Sequence, residues 1–252
     1  MQNYKVTISY DGHDFEGFQT QNRPGSRTVQ DELIKVVSKM AKTRIKVVGA
    51  SRTDAGVHAN GQVINFLFPF NLSEQAILMG MNSKLPTDIL VKSVENVPVD
   101  FSARHSSHKK RYLYRVSTSK FIDPFKRFYT GHYFWNLDTD KIQKALPDLL
   151  GEHDFASFAA AGNQTATTIR TITKAELKIF PENNELLFTF EGNAFLYNQI
   201  RIMIGVLLEI GNGTRPIHDI IRLIKIKDRQ QARFTAPASG LYLDKVYYES
   251  MD

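Results

Sequence analysis

The chain has 252 residues, 42% of them apolar, and its 32 Lys and Arg outnumber 26 Asp and Glu for a formal charge of +6. It has no cysteine, which excludes disulfides, thiolate metal sites and thiol nucleophiles. No apolar run approaches membrane-spanning length and "MQNYKVTISYDG" alternates apolar and polar residues, so we expect a soluble, cytoplasmic protein with no membrane partner.

In chain order, "YKVTISY" (4–10) alternates as a strand, and "TVQDELIKVVSKM" puts Val29, Leu33, Val36, Val37 and Met40 on one helical face behind a Thr28/Asp31 capping pair. "RIKVV" and "QVINFLF" read as strands, "SEQAILMGMNSKL" as a helix opened by Ser73, and "DILVKSVENV" as a strand. That order, β-α-β-β-α-β, is a ferredoxin-like unit. The second half repeats it. "RYLYRVST" and "YTGHYFWNL" read as strands, "DTDKIQKALPDLLG" as a helix stopped at Gly151, and "ITKAELKIF" and "ELLFTFEG" as strands. A long apolar helix, "FLYNQIRIMIGVLLEIG", a shorter one, "IHDIIRLIKIK", and a closing strand, "GLYLDKVYYE", follow. The expected fold is α+β: two ferredoxin-like halves, 1–104 and 105–252, forming a continuous mixed, largely antiparallel sheet with helices on one face and a central cleft for a ligand.

Between "RIKVV" and "QVINFLF" lies "GASRTDAGVHANGQ" (49–62), a polar, glycine-rich loop of the kind on which a scaffold presents chemistry. An Asx-type turn with Gly56 at positive φ would account for Asp54 structurally. Against that, Arg52 and Asp54 flank a single residue, so both side chains can face one cleft, and a short hairpin needs neither. The apolar helix 195–210 carries Arg201, and a buried arginine needs a carboxylate. Asp54 is a candidate. Such a partner would keep it ionised, as suits a nucleophile or base.

"RHSSHKKRYLYR" (104–115) sets Arg104, Lys109, Lys110, Arg111 and Arg115 around Tyr112 and Tyr114. Cations among aromatic rings suit an RNA backbone and an unstacked base, which makes Lys109, Lys110 and Arg111 candidate RNA contacts. Alternation equally allows both tyrosines to be core residues. His105 and His108 lack cysteine or carboxylate neighbours at ligand spacing, so they are read as solvated and no metal is expected. No Walker-type loop is present and "GNG" (211–213) reads as a helix stop, so no cofactor is expected.

"YDGHDFEGFQTQ", "SRTDAGVHANGQV", "LPTDILV", "FSARHSSHKKRYLYRV", "GEHDFASF", "GNAFLYNQIRIMIG" and "TAPASGLYLDKVYY", in this order along essentially the whole chain, resemble the tRNA pseudouridine synthase A family. The resemblance implies a homodimer that isomerises uridine to pseudouridine at positions 38, 39 and 40 of the tRNA anticodon stem-loop. It also implies that Asp54 is the catalytic aspartate, Arg52 the arginine that helps flip the target base, Tyr112 the tyrosine against the uracil, and Arg201 the arginine that pairs with the aspartate. Two positions depart from the family pattern. Ser51 stands where Gly-Arg-Thr-Asp has glycine, which questions a need for positive φ, and Phe18 stands where "GFQ" commonly has tryptophan.

The implied reaction breaks the N1–C1′ bond, turns the base and joins C5 to C1′, so it needs no redox centre or nucleotide cofactor. A carboxylate can add to C1′, add to C6 of the uracil, or take a sugar proton to give a glycal; the residues leave these three open. Two other functions fit parts of the sequence. A non-catalytic RNA-binding protein built on paired ferredoxin-like units lacks the aromatic, glycine-rich signature of an RNA-recognition motif. A metal-dependent phosphodiesterase using Asp54 and histidines lacks ligands.

Overall fold

The computed structural model describes residues 1–162 and 165–248. The fold is α+β and divides into two compact units, Met1–His108 with the chain from Tyr242 onward, and Lys109–Leu241.

In the first unit β1 (Gln2–Tyr10) is followed by α1 (Val29–Ala41), the two-residue β2 (Val48–Gly49), β3 (His58–Phe68), α2 (Glu74–Asn82) and β4 (Ile89–Val97). This is the β-α-β-β-α-β order expected from the hydrophobic pattern, except that of "RIKVV" only Val48 belongs to a strand, the residues before it lying outside any element. β1 lies between β3 and β4, antiparallel to both, with Val6 opposite Ile64 and Val94. Its alternation is a burial pattern: Tyr4, Val6, Ile8 and Tyr10 are buried, and the residues between them only half-buried. α1 starts where its capping pair predicts, the Thr28 hydroxyl accepting from the Asp31 N–H at 3.2 Å. Its inner face holds Val29, Leu33, Val36, Val37 and Ala41, while Met40 is half-buried. α2 opens at Ser73, whose hydroxyl accepts from the Ala76 N–H at 3.1 Å.

The second unit contains β5 (Ser107–Ser117, its first two residues still in the first unit), β6 (Gly131–His132), α3 (Thr139–Ala145), β7 (Gly151–Asp154), β8 (Ile169–Phe180), β9 (Glu185–Gly192), α4 (Gln199–Gly211) and α5 (Asp219–Ile226). Its antiparallel ladder runs β5-β9-β8-β7. Two expectations change here. "YTGHYFWNL" is not a full strand: Gly131 and His132 pair in parallel with Val116 and Ser117, the Tyr133 N–H donates to Ser117 O at 2.9 Å, and Phe134 and Trp135 then lie exposed off the ladder. The helix after Asp138 is an α-helix only to Ala145. Pro147 has no N–H for an α-helical bond, so Leu146–Leu149 tighten into a 3-10 turn, and Gly151, at φ 100°, opens the unanticipated strand β7.

α4 begins at Gln199 and not at Phe195 as expected, because Asn198 before it is left-handed at φ 59°, and it buries every residue except Arg201 and Glu209. The closing strand, β10 (Leu241–Tyr248), pairs in parallel with β3, Tyr242 opposite His58. Glu249, the last residue of the expected strand, lies outside the described residues. Among those described, no helix is long and apolar enough to cross a membrane.

Candidate active site

β3 is buried along most of its length yet includes three buried polar side chains, His58, Gln62 and Asn65. Buried polar groups persist when hydrogen-bonded, and each of these holds a loop. His58 Nδ1 accepts from the Gly12 N–H at 3.0 Å. Gln62 brackets Ser51, accepting from its N–H at 3.2 Å and donating to its carbonyl at 2.8 Å. Asn65 accepts from the Ala103 N–H at 2.8 Å and donates to Phe101 O at 3.2 Å.

The loop 50–57 is fixed on both sides of Asp54. Thr53 O accepts from the Phe18 N–H at 3.0 Å, and the Thr53 and Tyr10 hydroxyls share a hydrogen bond of 2.7 Å. Beyond Asp54, the Val57 N–H donates to Asp54 O at 3.1 Å, and Gly56, at φ 76°, donates to Phe15 O at 3.2 Å. This turn closes through the main chain of Asp54, so its 3.1 Å bond does not use the carboxylate. The segment 12–18 runs close alongside: a Cβ at Gly12 would stand 2.0 Å from Val57 O, and one at Gly17 2.8 Å from Thr53 O. Thr53 is buried, Asp54 half-buried and Arg52 exposed, which fits two flanking side chains turned away from the core. Neither departure from the family pattern disturbs the loop. Ser51 is not in a positive-φ conformation, and Phe18 is buried with its ring against Gly49, where a Cβ would stand 2.3 Å from it.

In the second unit Lys110, Tyr112, Tyr114 and Val116 share the buried face of β5. The two tyrosines differ. Tyr114 is fully buried, its hydroxyl donates to Pro237 O at 2.7 Å, and Gly131 and Gly240 leave room for its ring. Burial pushes its pKa far up, against the opposing charge of Arg201. Tyr112 is 6% exposed and meets Phe195 edge to face at 5.3 Å. Arg201, in the first turn of α4, donates to Ala236 O at 2.8 Å and to Asn198 Oδ1 at 2.7 Å, while its carbonyl accepts from the Ala236 N–H at 3.0 Å. It thereby ties the segment before β10 to α4.

The other cations of β5 have acidic partners on β9. Lys109 and Arg111 both reach Glu191, at 2.8 and 2.7 Å, and Arg115 forks onto Glu185 at 2.6 and 3.0 Å. Burial alone would raise the Glu191 pKa, but the hydrogen bonds and charges of Lys109 and Arg111 outweigh it and hold the carboxyl at about 2. Among the described residues no three His, Asp or Glu side chains gather as metal ligands. Tyr10, Gln62 and Asn65 carry no assigned role in the sequence, although Gln62 and Asn65 are polar positions in a mostly buried strand and Tyr10 falls on the buried face of β1.

A family model described as tRNA pseudouridine synthase matches residues 6–106 and 145–249. Arg52, Asp54 and Arg201 lie within these stretches, and Lys109, Lys110, Arg111 and Tyr112 between them. The chain is 90% identical over 252 residues to tRNA pseudouridine synthase A of Oenococcus oeni, covering all of both chains. It is 63% identical to the protein of that name from Leuconostoc mesenteroides, covering 98% of this chain and 100% of the relative. The Ligilactobacillus salivarius protein of that name is 54% identical, with 100% of this chain and 98% of the relative covered.

Proposed function

The chain belongs to the tRNA pseudouridine synthase family, a family of isomerases, and from that premise we propose that it converts uridine to pseudouridine at positions 38, 39 and 40 of the tRNA anticodon stem-loop, with Asp54 as nucleophile or base. Membership sets aside the non-catalytic alternative. The observation that carries the assignment to Asp54 is the loop: its main chain is held at Ser51, Thr53 and Gly56, while the carboxylate belongs to a half-buried residue at the tip. A fixed main chain beneath a reactive side chain is what an attack on one defined carbon requires.

In this reading the target uridine leaves its stack to meet Asp54, and Arg52, exposed beside it, occupies the space the base vacates. The N1–C1′ bond breaks, the uracil turns, the C5–C1′ bond forms, and the proton on C5 is lost while N1 gains one. Asp54 assists by adding to C1′, by adding to C6, or by taking a sugar proton. Tyr112 offers the uracil a ring and a hydroxyl to take the C5 proton, whereas the hydroxyl of Tyr114 is held by Pro237 O. Arg201 serves as the counter-charge of the carboxylate; its half-burial on a helix where only Glu209 is likewise short of full burial supports that role. Lys109 and Arg111, held in place by Glu191, and Lys110 beside them on β5 complete the RNA contacts with whatever charge those partners leave, and a cytoplasmic homodimer belongs to the same reading.

The test incubates purified protein with unmodified tRNA and maps pseudouridine along it. Modification at positions 38 to 40 is expected. Modification confined to other positions would overturn the anticodon assignment.

A further inference from the structure

Three cations and a histidine of the first unit differ from the cations of β5 in having no counter-charge among the described residues. Lys46, Arg52, Arg104 and His105 line one groove of about 380 Å³ with Phe18 and Gly49 among its walls, and among the described residues no Asp or Glu lines it. All four are exposed, and among the described residues none of their side chains makes an ion pair or hydrogen bond. The main chain leading into the two arginines, by contrast, is held. The residue before each arginine is bracketed at both of its polar groups by buried or half-buried side chains: Ser51 by Gln62, and Ala103 by Asn65 on its N–H, at 2.8 Å, and by the Tyr248 hydroxyl on its carbonyl, at 2.8 Å. Fixed anchors carrying unpaired cations concentrate positive potential in one place before any ligand arrives.

Resting on the proposed tRNA substrate, we infer that this groove receives the ribose-phosphate backbone of the RNA strand flanking the target uridine. Arg52 stands two residues from Asp54, so a strand held here runs past the carboxylate that acts on its uridine. The lining favours backbone over base recognition. The Gln30 amide is engaged at both ends, donating to Val47 O at 2.9 Å and accepting from the Thr20 N–H at 2.9 Å, which leaves Gln19 as the amide open to a base edge. Binding here is therefore governed by charge and is nearly independent of tRNA sequence.

The test compares the double variant Lys46→Glu/Arg104→Glu with Lys35→Glu/Lys39→Glu, two exposed α1 lysines whose replacement changes the net charge equally. Affinity for unmodified tRNA is measured across a salt series, and turnover at saturating tRNA. The groove variant is expected to lose at least about tenfold in affinity, with a log–log salt slope shallower by about 1.5 and kcat within about threefold of the wild type. The control pair should change affinity by less than about threefold. Equal loss in the control, an unchanged affinity and slope in the groove variant, or a loss that follows a change of oligomeric state in sedimentation would each overturn the inference. Wild-type protein that binds tRNA without forming pseudouridine would defeat the proposed function, and the affinities would still decide the groove.

Discussion

The loop 50–57 and the strand β5 both drew attention in the sequence, and they are built in opposite ways. In the loop, hydrogen bonds hold the main chain, and Arg52 has no ion pair or hydrogen bond among the described residues. On β5 the charged side chains are themselves part of the scaffold: Glu191 holds Lys109 and Arg111, and Glu185 holds Arg115. A run of cations in a sequence therefore measures charge present, and the acidic partners found in the fold set how much of that charge is left to meet a ligand. Substitutions in the loop should change turnover, and most substitutions on β5 should change stability.

The largest expected effect is at Asp54. Asp54→Asn keeps the shape of the loop but removes the nucleophile or base, so turnover should fall by at least about a thousandfold with tRNA affinity within about threefold. Near-normal turnover in single-turnover assays would break the contrast at once. Next is the exception on β5. Tyr112→Phe should slow turnover by about a hundredfold while leaving affinity and Tm nearly unchanged, whereas Tyr114→Phe should lose about 1 kcal/mol of stability with its bond to Pro237 O and alter turnover little. If Tyr112→Phe turns over normally and only Tyr112→Ala fails, the residue acts through its ring.

A smaller effect sharpens the claim that the loop works through its anchors. Gln62→Leu removes both bonds to Ser51, and kcat should drop by about tenfold while KM moves little. An unchanged kcat would show that the loop holds its geometry without this bracket. The smallest effect is on stability. The pKa of Glu191 falls on folding from the usual 4.5 to about 2, so its ion pairs stabilise the fold fully above about pH 4.5 and progressively less as pH falls toward 2. Glu191→Gln should therefore cost about 1–2 kcal/mol in urea unfolding at pH 7, and the gap to the wild type should narrow as the pH is lowered through that window. A gap independent of pH would mean that packing, not charge, is what the substitution disturbs.

Where a residue's neighbours in sequence decide its structure, the sequence was informative. The alternation of β1 and the capped, one-sided face of α1 are local patterns, and both elements form where expected. Asp54 stood out because a turn that could use the carboxylate does not also call for an arginine two residues before it. The rest depends on pairing at a distance. "YTGHYFWNL" has the composition of a strand, but a strand needs a partner for its full length, and only Gly131 and His132 find one. The register that sets Arg111 opposite Glu191 across the β5–β9 ladder is likewise absent from any local pattern, which is why the cations of β5 looked free. Gln62 and Asn65 read as interruptions in an apolar run, and their meaning lies in the loops they hold, which arrive from elsewhere in the chain.

The most direct test of the central claim is release of tritium from tRNA labelled at C5 of uridine, measured beside pseudouridine formation, with purified protein and a metal chelator present. Forming the C5–C1′ bond forces the C5 hydrogen to leave, so we predict one tritium released for each pseudouridine made, at a rate unaffected by the chelator. Protein that binds the labelled tRNA yet releases no tritium, or releases it only when a metal is restored, would contradict the account.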